Sequence, residues 1–445
     1  MATIDLSALA RTSPSSSSAS HPRVSTMAEG LVGSEILKIA AEIRALVRGG
    51  KTVCNLTVGD FDPKQFAIPQ ALQDAIIAAY EAHETNYPPS NGMPELREAL
   101  PRFYERELGL RYPLESFLVA AGARPIIYGI YRAVVDPGDV VVYPVPSWNN
   151  NHYVHMLGAK GVVVPCGPES RFLPSKSALL AALRSDGEKP GASLVCLNSP
   201  LNPTGTAMAR DQLLGISEAI VAENEARAAR GTKPVYLMYD HIYWMLTSKG
   251  TEHFTPPGLV PEMAKYTIFV DGISKAFAAT GVRVGWAVGP TDVIDRMSAI
   301  IGHVGAWAPR AEQIATAKLL EDRDAISTYL GTMRTGISKR LGALHEGFQQ
   351  MKAAGLPVES LSPEGAIYLT VRIAPFGKKT PSGAELRTNE DVRRYVLEAA
   401  GVGIVPFQAF GVAGDDGWFR LSIGAVGERD IQDALPRLSE ALRAL

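Results

Sequence analysis

Six short runs, FLVAA (117–121), VVVYPV (140–145), SLVCLN (193–198), VYLMYD (235–240), TIFVD (267–271) and VRVGWAV (282–288), are apolar without strict alternation. A strand with one wet face alternates, whereas a strand covered on both faces does not. Several gaps between these runs are long enough for crossover helices, which parallel neighbours require. The pattern predicts an α/β fold. Its large domain, residues 61–324, holds a mostly parallel sheet of the seven-stranded type, flanked by helices.

The two ends of the chain read differently. Ile36, Ile39, Ala40, Ile43 and Leu46 recur at helical spacing from Ser34, and Gly49-Gly50 stops the run. A short strand is predicted at 53–56, followed by helices opening at Pro69 and Pro94. Beyond Pro309 the pattern is helical to about Ala354. Strand-like AIYLTVRI (366–373), a helix from Asn389 to Ala400, FRLSIG (419–424) and a closing helix from Glu428 follow. Residues 28–60 and 325–445 are expected to pack together as a smaller α+β domain. Residues 1–27, containing SPSSSSASHP, have no periodic apolar face and read as a disordered Ser-rich tail. No internal repeat is visible.

Several function classes are disfavoured. The chain carries 44 basic and 46 acidic residues, so a nucleic-acid partner, which asks for a basic face, is not expected. No apolar run reaches the ~18 residues of a membrane span. Cys54, Cys166 and Cys196 have no metal-ligand spacing. Their odd number points to free thiols in a reducing compartment, and the expected location is cytoplasmic.

Ligands of open α/β sheets sit beyond the carboxyl ends of the strands. Gly122-Ala123-Arg124 follows the first run and opens a helix, whose free N–H groups suit an anion. Trp148 follows the second, and Asn202 stands in SPLNPTG after the third. Asp240 and Tyr243 follow the fourth, Ser274-Lys275 the fifth, and Arg283 opens the last. Each has an ordinary reading alone: a surface lysine, a helix-capping aspartate, a core tryptophan, a turn-forming asparagine. Together they match the parts of pyridoxal 5′-phosphate. An amine takes the aldehyde. A carboxylate favours the protonated ring nitrogen. An indole stacks on the ring. Tyr243 and Asn202 reach the ring oxygen, and an arginine fork grips the phosphate.

SKAFAATGVRVGW (274–286), NSPLNPTG (198–205), the Asp240 and Tyr243 pair, NYPPSNGMPELREAL (86–100), LTVGDFD (56–62) and FRLSIG stand in the order and spacing of the class I/II aminotransferases. The chain resembles that family of fold type I, pyridoxal-phosphate-dependent, aspartate aminotransferase-like enzymes. The resemblance implies ping-pong transfer of an amino group between an L-amino acid and a 2-oxo acid, with Lys275 as acid and base. It implies a homodimer in which Tyr87 reaches the neighbouring site, Arg420 as the grip on the substrate α-carboxylate, and Gly59 as part of the substrate wall. A β- or γ-eliminating lyase or synthase is the alternative on the same scaffold. A non-enzymatic cofactor sensor is disfavoured, because the N-terminal segment is too short for a DNA-binding domain. Gly272 stands where some members have a phosphate-binding serine, leaving Ser274 for that contact. Phe407 is bulkier than usual, and Arg124-Pro125 is a less usual turn. Arg124, Arg296 and Arg310 are candidates for a distal substrate acid. Trp307, Phe407 and Trp148 equally suit a pocket for an apolar side chain.

Overall fold

A computed structural model describes residues 24–33, 35–184 and 191–445. Most of the expected Ser-rich tail, residues 1–23, lies outside the described residues, and its last residues enter a single helical turn, Thr26–Glu29, capped by Ser25. The strands are β1 Cys54–Asn55, β2 Phe117–Ala120, β3 Val140–Val145, β4 Lys160–Pro165, β5 Leu194–Asn198, β6 Tyr236–Asp240, β7 Thr267–Gly272, β8 Gly285–Val288, β9 Val358–Ser360, β10 Tyr368–Ile373, β11 Val402–Gly403, β12 Val405–Pro406 and β13 Trp418–Ser422.

The central sheet has seven strands in the order β2-β8-β7-β6-β5-β3-β4. Only β8 runs against its neighbours, pairing antiparallel with β2 and β7. The absence of alternation now has its cause. Phe117 and Val119 of β2 face one core cluster, while Leu118 and Ala120 face another across the sheet. Val195 and Leu197 of β5 divide from Leu194 and Cys196 in the same way. Each fully buried side chain of this kind contributes roughly 1.5–3 kcal/mol.

Two strand expectations shift. The run 282–288 is strand only from Gly285, and Arg283 stands in the turn before it with φ +64°. The strand expected at 53–56 is the two-residue β1. Strand β4 lies outside the six runs: it is a largely exposed edge strand whose apolar run is only Val162, Val163 and Val164. The helical stretch after Pro309 is two helices, Arg310–Glu321 and Arg323–Ala353, divided at Asp322, whose side chain caps the second.

The remaining strands form an antiparallel sheet, β12-β13-β10-β9, and a parallel pair, β1-β11. The pair ties residues 54–55 to 402–403. From there residues 56–62 run beside β13: Ser422 donates its N–H to Leu56 O and its hydroxyl to Val58 O. Ile39 and Ile43, from the helix Glu35–Arg48, join Leu397, Val405, Phe407, Phe410 and Trp418 in one cluster. Segments from both ends of the chain thus stand over the carboxyl edge of the central sheet. Among the described residues no helix is long and apolar enough to cross a membrane.

Candidate active site

Strand β7 ends at Gly272, and the turn Ile273–Ala276 presents Lys275. The glycine at 272 is a packing requirement, because a Cβ there would lie 2.8 Å from both Gly285 Cα and Val284 O. Lys275 Nζ donates to Gly59 O at 2.6 Å and stands 5.8 Å from the centre of the Tyr243 ring and 5.9 Å from that of Phe61. The side chain keeps some exposed surface, as befits the floor of a cleft. Burial nevertheless lowers its pKa to about 8, against the attraction of Asp60.

Asp240 ends β6. One carboxylate oxygen accepts the Ile242 N–H at 3.1 Å, and the other makes no hydrogen bond among the described residues. Burial raises its pKa to about 6, with Lys275 pulling the other way. Asp240, Trp148 and Asn198 line one cavity. Tyr243 places its hydroxyl 2.5 Å from that of Tyr368.

The turn after β2 makes an anion cradle. Gly122 caps the helix Ala123–Val134 with φ +87° and no side-chain cap, so first-turn N–H groups stay open. Arg283 lies directly beneath it, and a Cβ on residue 122 would collide with the guanidinium. Backbone carbonyls of Thr280 and Ala121, at 2.6 and 2.8 Å, hold that guanidinium in place. The left-handed backbone at 283 is what turns it under Gly122 rather than into the strand. Ser274 is buried, and its hydroxyl makes no hydrogen bond among the described residues.

Arg420, on β13, is 1% exposed and has no carboxylate partner among the described residues. Its guanidinium lies between the Tyr368 and Phe410 rings, 4.8 and 4.9 Å from their centres. It donates to Asn202 Oδ1 at 3.1 Å and to Thr57 O at 2.6 Å, while its Nε is buried without a partner. A Cβ on Gly59 would come within 3.0 Å of Tyr368 Oη and 3.5 Å of Arg420 Nη1. Gly59 therefore joins Lys275 and Arg420 at one wall. An unpaired buried guanidinium is costly unless an anion joins it.

At the rim, Arg124 stands over the Trp148 ring at 5.6 Å, exposed, with no hydrogen bond or ion pair among the described residues. Arg296 and Arg310 are engaged elsewhere, by Asp295 at 3.7 Å and Glu84 at 2.5 Å. Phe407 is buried against Phe172 and Phe410, in the cluster behind Arg420. Tyr87 does not join the others within this chain. It is 82% exposed and packs edge-on against Trp307. The sequence does not single out Tyr368, Phe410 and Thr57, since each reaches the site only through contacts distant along the chain. Among the described residues no cluster of His, Cys, Asp and Glu is arranged to hold a metal.

The residues suit one ligand bearing an aldehyde, a cationic ring nitrogen and a phosphate: an enclosed amine, a buried carboxylate with a free oxygen, and a glycine cradle backed by arginine. Residues 51–438 match the model of the family described as aminotransferase class I and II. An aspartate aminotransferase of Rhizobium meliloti (strain 1021) is 32% identical over 410 residues, covering 92% of this chain and 93% of that protein. A probable aspartate/prephenate aminotransferase of Thermus aquaticus is 32% identical over 408 residues, covering 91% and 96%. The crystal structure of the aspartate aminotransferase from Rhizobium meliloti superposes with a TM-score of 0.85 at 31% identity, covering 96% of this chain and all of that one. The Thermus thermophilus aspartate aminotransferase solved with maleate gives 0.82 at 28%, covering 95% and 100%.

Proposed function

Since the chain belongs to the class I and II aminotransferases and transfers amino groups between amino acids and oxo acids, we propose that it does so with pyridoxal 5′-phosphate held on Lys275, between Asp240 and the Gly122–Arg283 cradle. When bound, that group supplies an aldehyde carbon for an amine and a protonated ring that takes up the electron pair left at the substrate α-carbon.

The chain's own residues do the rest. Ala123 and Arg124 offer backbone N–H groups, Gly122 leaves room for the anion against them, and Arg283 and Ser274 offer side chains to the phosphate. Asp240, with its unbonded oxygen, holds the ring nitrogen protonated. Trp148 covers the ring face. Tyr243, anchored by Tyr368, and the amide of Asn202 donate to the ring oxygen. Arg420 takes the substrate α-carboxylate beside Gly59. Lys275 Nζ, its pKa lowered to about 8 by burial, takes the α-proton and returns it to the 4′ carbon. The observation that carries this reading is the shared wall at Gly59, where the Lys275 amine and the unpaired Arg420 meet.

For the substrate side chain we infer a second carboxylate. Arg124 is the candidate arginine that remains unengaged, and the relatives include enzymes named for aspartate. We further infer a homodimer in which Tyr87 serves the neighbouring phosphate, and a cytoplasmic enzyme with three free cysteines. Residues 28–60 with 325–445 act as the smaller unit, and 61–324 as the cofactor-bearing one.

The test is a half-reaction. Aspartate added to the yellow holoenzyme without oxo acid is expected to convert the visible band stoichiometrically, with no ammonia released. Aspartate and glutamate are expected to exceed phenylalanine in kcat/KM by at least about tenfold. Lys275→Ala is expected to lose turnover by more than about a thousandfold while still binding the cofactor. Turnover retained by that variant would remove Lys275 from its role.

A further inference from the structure

A buried carboxylate behind Lys275 has no part in the mechanism above. Asp271 is 2% exposed on β7, one residue beyond the level of Asp240, since Asp240 pairs with Val270 across the strands. Its Oδ1 accepts the Gly272 N–H at 2.7 Å. Its Oδ2 accepts the Tyr104 hydroxyl at 3.0 Å and the Trp244 indole N–H at 3.1 Å, with His241 Nε2 3.6 Å away.

The hydrogens can be placed one by one. Tyr104 has a single hydroxyl hydrogen, which goes to Asp271, and its oxygen accepts Trp286 Nε1–H at 3.1 Å. His241 Nε2, 3.2 Å from that oxygen, then carries a hydrogen, and His241 Nδ1 accepts from His253 Nε2 at 3.3 Å. The network closes when both oxygens of Asp271 are acceptors. Among the described residues no cation offsets it, because burial holds His241 well below the ordinary imidazole range and so uncharged. Burial raises the Asp271 pKa to about 7, against its three donors. A buried anion without a counter-charge is a poor stabilising device, so the network asks for another purpose.

Its partners supply one. Gly272 opens the turn that presents Lys275. His241 and Trp244 bracket the turn that presents Asp240 and Tyr243. Tyr104 belongs to the helix Pro94–Leu108 underneath. We propose that Asp271 is a positioning residue of the transamination site, its carboxylate locking the Asp240–Tyr243 turn to the Lys275 turn. The inference rests on the cofactor roles given above for those residues. Asp271 touches neither substrate nor cofactor and acts through the two turns it ties.

Asparagine at 271 keeps the shape but brings a donor. Whichever way the amide points, its NH2 meets either the Gly272 N–H or the Tyr104 and Trp244 donors. Trp244→Phe removes one tie and leaves the carboxylate intact. The experiment compares wild type, Asp271→Asn and Trp244→Phe as holoenzymes, reading visible circular dichroism per bound cofactor, kcat and KM separately, and thermal unfolding. The dichroic amplitude reports the orientation of the ring, which a loss of stability alone does not move. Expected results are a dichroic amplitude altered at least about twofold in both variants, kcat lower by about tenfold or more in Asp271→Asn and about threefold in Trp244→Phe, and KM within about threefold of wild type. Unchanged dichroism and kcat with only a lower Tm overturn the proposal. Should Asp271→Asn not fold, Trp244→Phe decides alone by the same criteria. A wild-type protein with no visible band at all overturns the site reading and this proposal with it.

Discussion

At the scale of single residues, the site is built from groups placed where each is unfavourable alone. Lys275 loses hydration at the cleft floor, so its amine is nearer neutrality than a surface lysine, which favours the proton-transferring role proposed for it. This has a measurable thermodynamic side. Its folded pKa, about 8, lies below the ordinary 10.5, so between those values the unfolded chain binds more protons. Apoenzyme stability should therefore rise with pH across that window, by at most about 3 kcal/mol, with the penalty fully present below it. Lys275→Met should lack this rise. Urea unfolding of both apoenzymes at pH 8 and 10.5 checks it, and parallel curves for the two proteins would refute the assignment. Asp240 has the opposite sign, its raised pKa penalising the charged form above about 6 until a cation arrives.

At the scale of elements, three glycine backbones lie against one another where β7, β8 and the helix after β2 meet. A Cβ on Gly285 would be 2.7 Å from Gly122 C and 2.9 Å from Ala123 N, so the cradle exists because the strand under it has no side chain there. Gly285→Ala is expected to cost about 1–3 kcal/mol of stability and to weaken cofactor binding by roughly tenfold or more as the turn leaves Arg283. Reconstitution titrations followed by absorbance measure the latter, and unchanged affinity would exclude the cradle as the phosphate site. Much of this architecture is legible in the sequence, because strands buried on both faces drop their alternation and because Gly122, Asn202, Asp240, Lys275 and Arg283 fall at strand ends. Edge strand β4, with most of its residues in solvent, offers only the short run Val162, Val163 and Val164 and no site residue at its end. Tyr368 and Phe410, which sandwich Arg420, look like ordinary core aromatics until the fold stacks them on it. Asp271 reads as the end of a strand, since its donors lie on segments remote in sequence.

At the scale of the whole molecule, Tyr87 is the exception, and the role proposed for it needs a second copy. Its ring is exposed, and the adjacent Trp307 indole N–H is buried without a partner among the described residues. If Tyr87 serves a neighbour, mixing Tyr87→Ala and Lys275→Ala subunits should rebuild one complete site per mixed dimer. Cofactor affinity at that site should match wild type, and activity should approach half. Subunit exchange followed by an activity assay and light scattering checks this; failure of mixtures to exceed Tyr87→Ala alone would mean that the residue works within its own chain.

Gly59 and Arg420 meet on one wall although more than half of the polypeptide is made between them, with Lys275 in the interval. During translation, the pocket proposed for the B6 vitamer is therefore spelled out before the arginine proposed to admit an amino acid has left the ribosome. A nascent or prematurely terminated product that stops short of residue 420 holds every group assigned to the vitamer within its own chain, yet lacks the means to seat an amino acid against it.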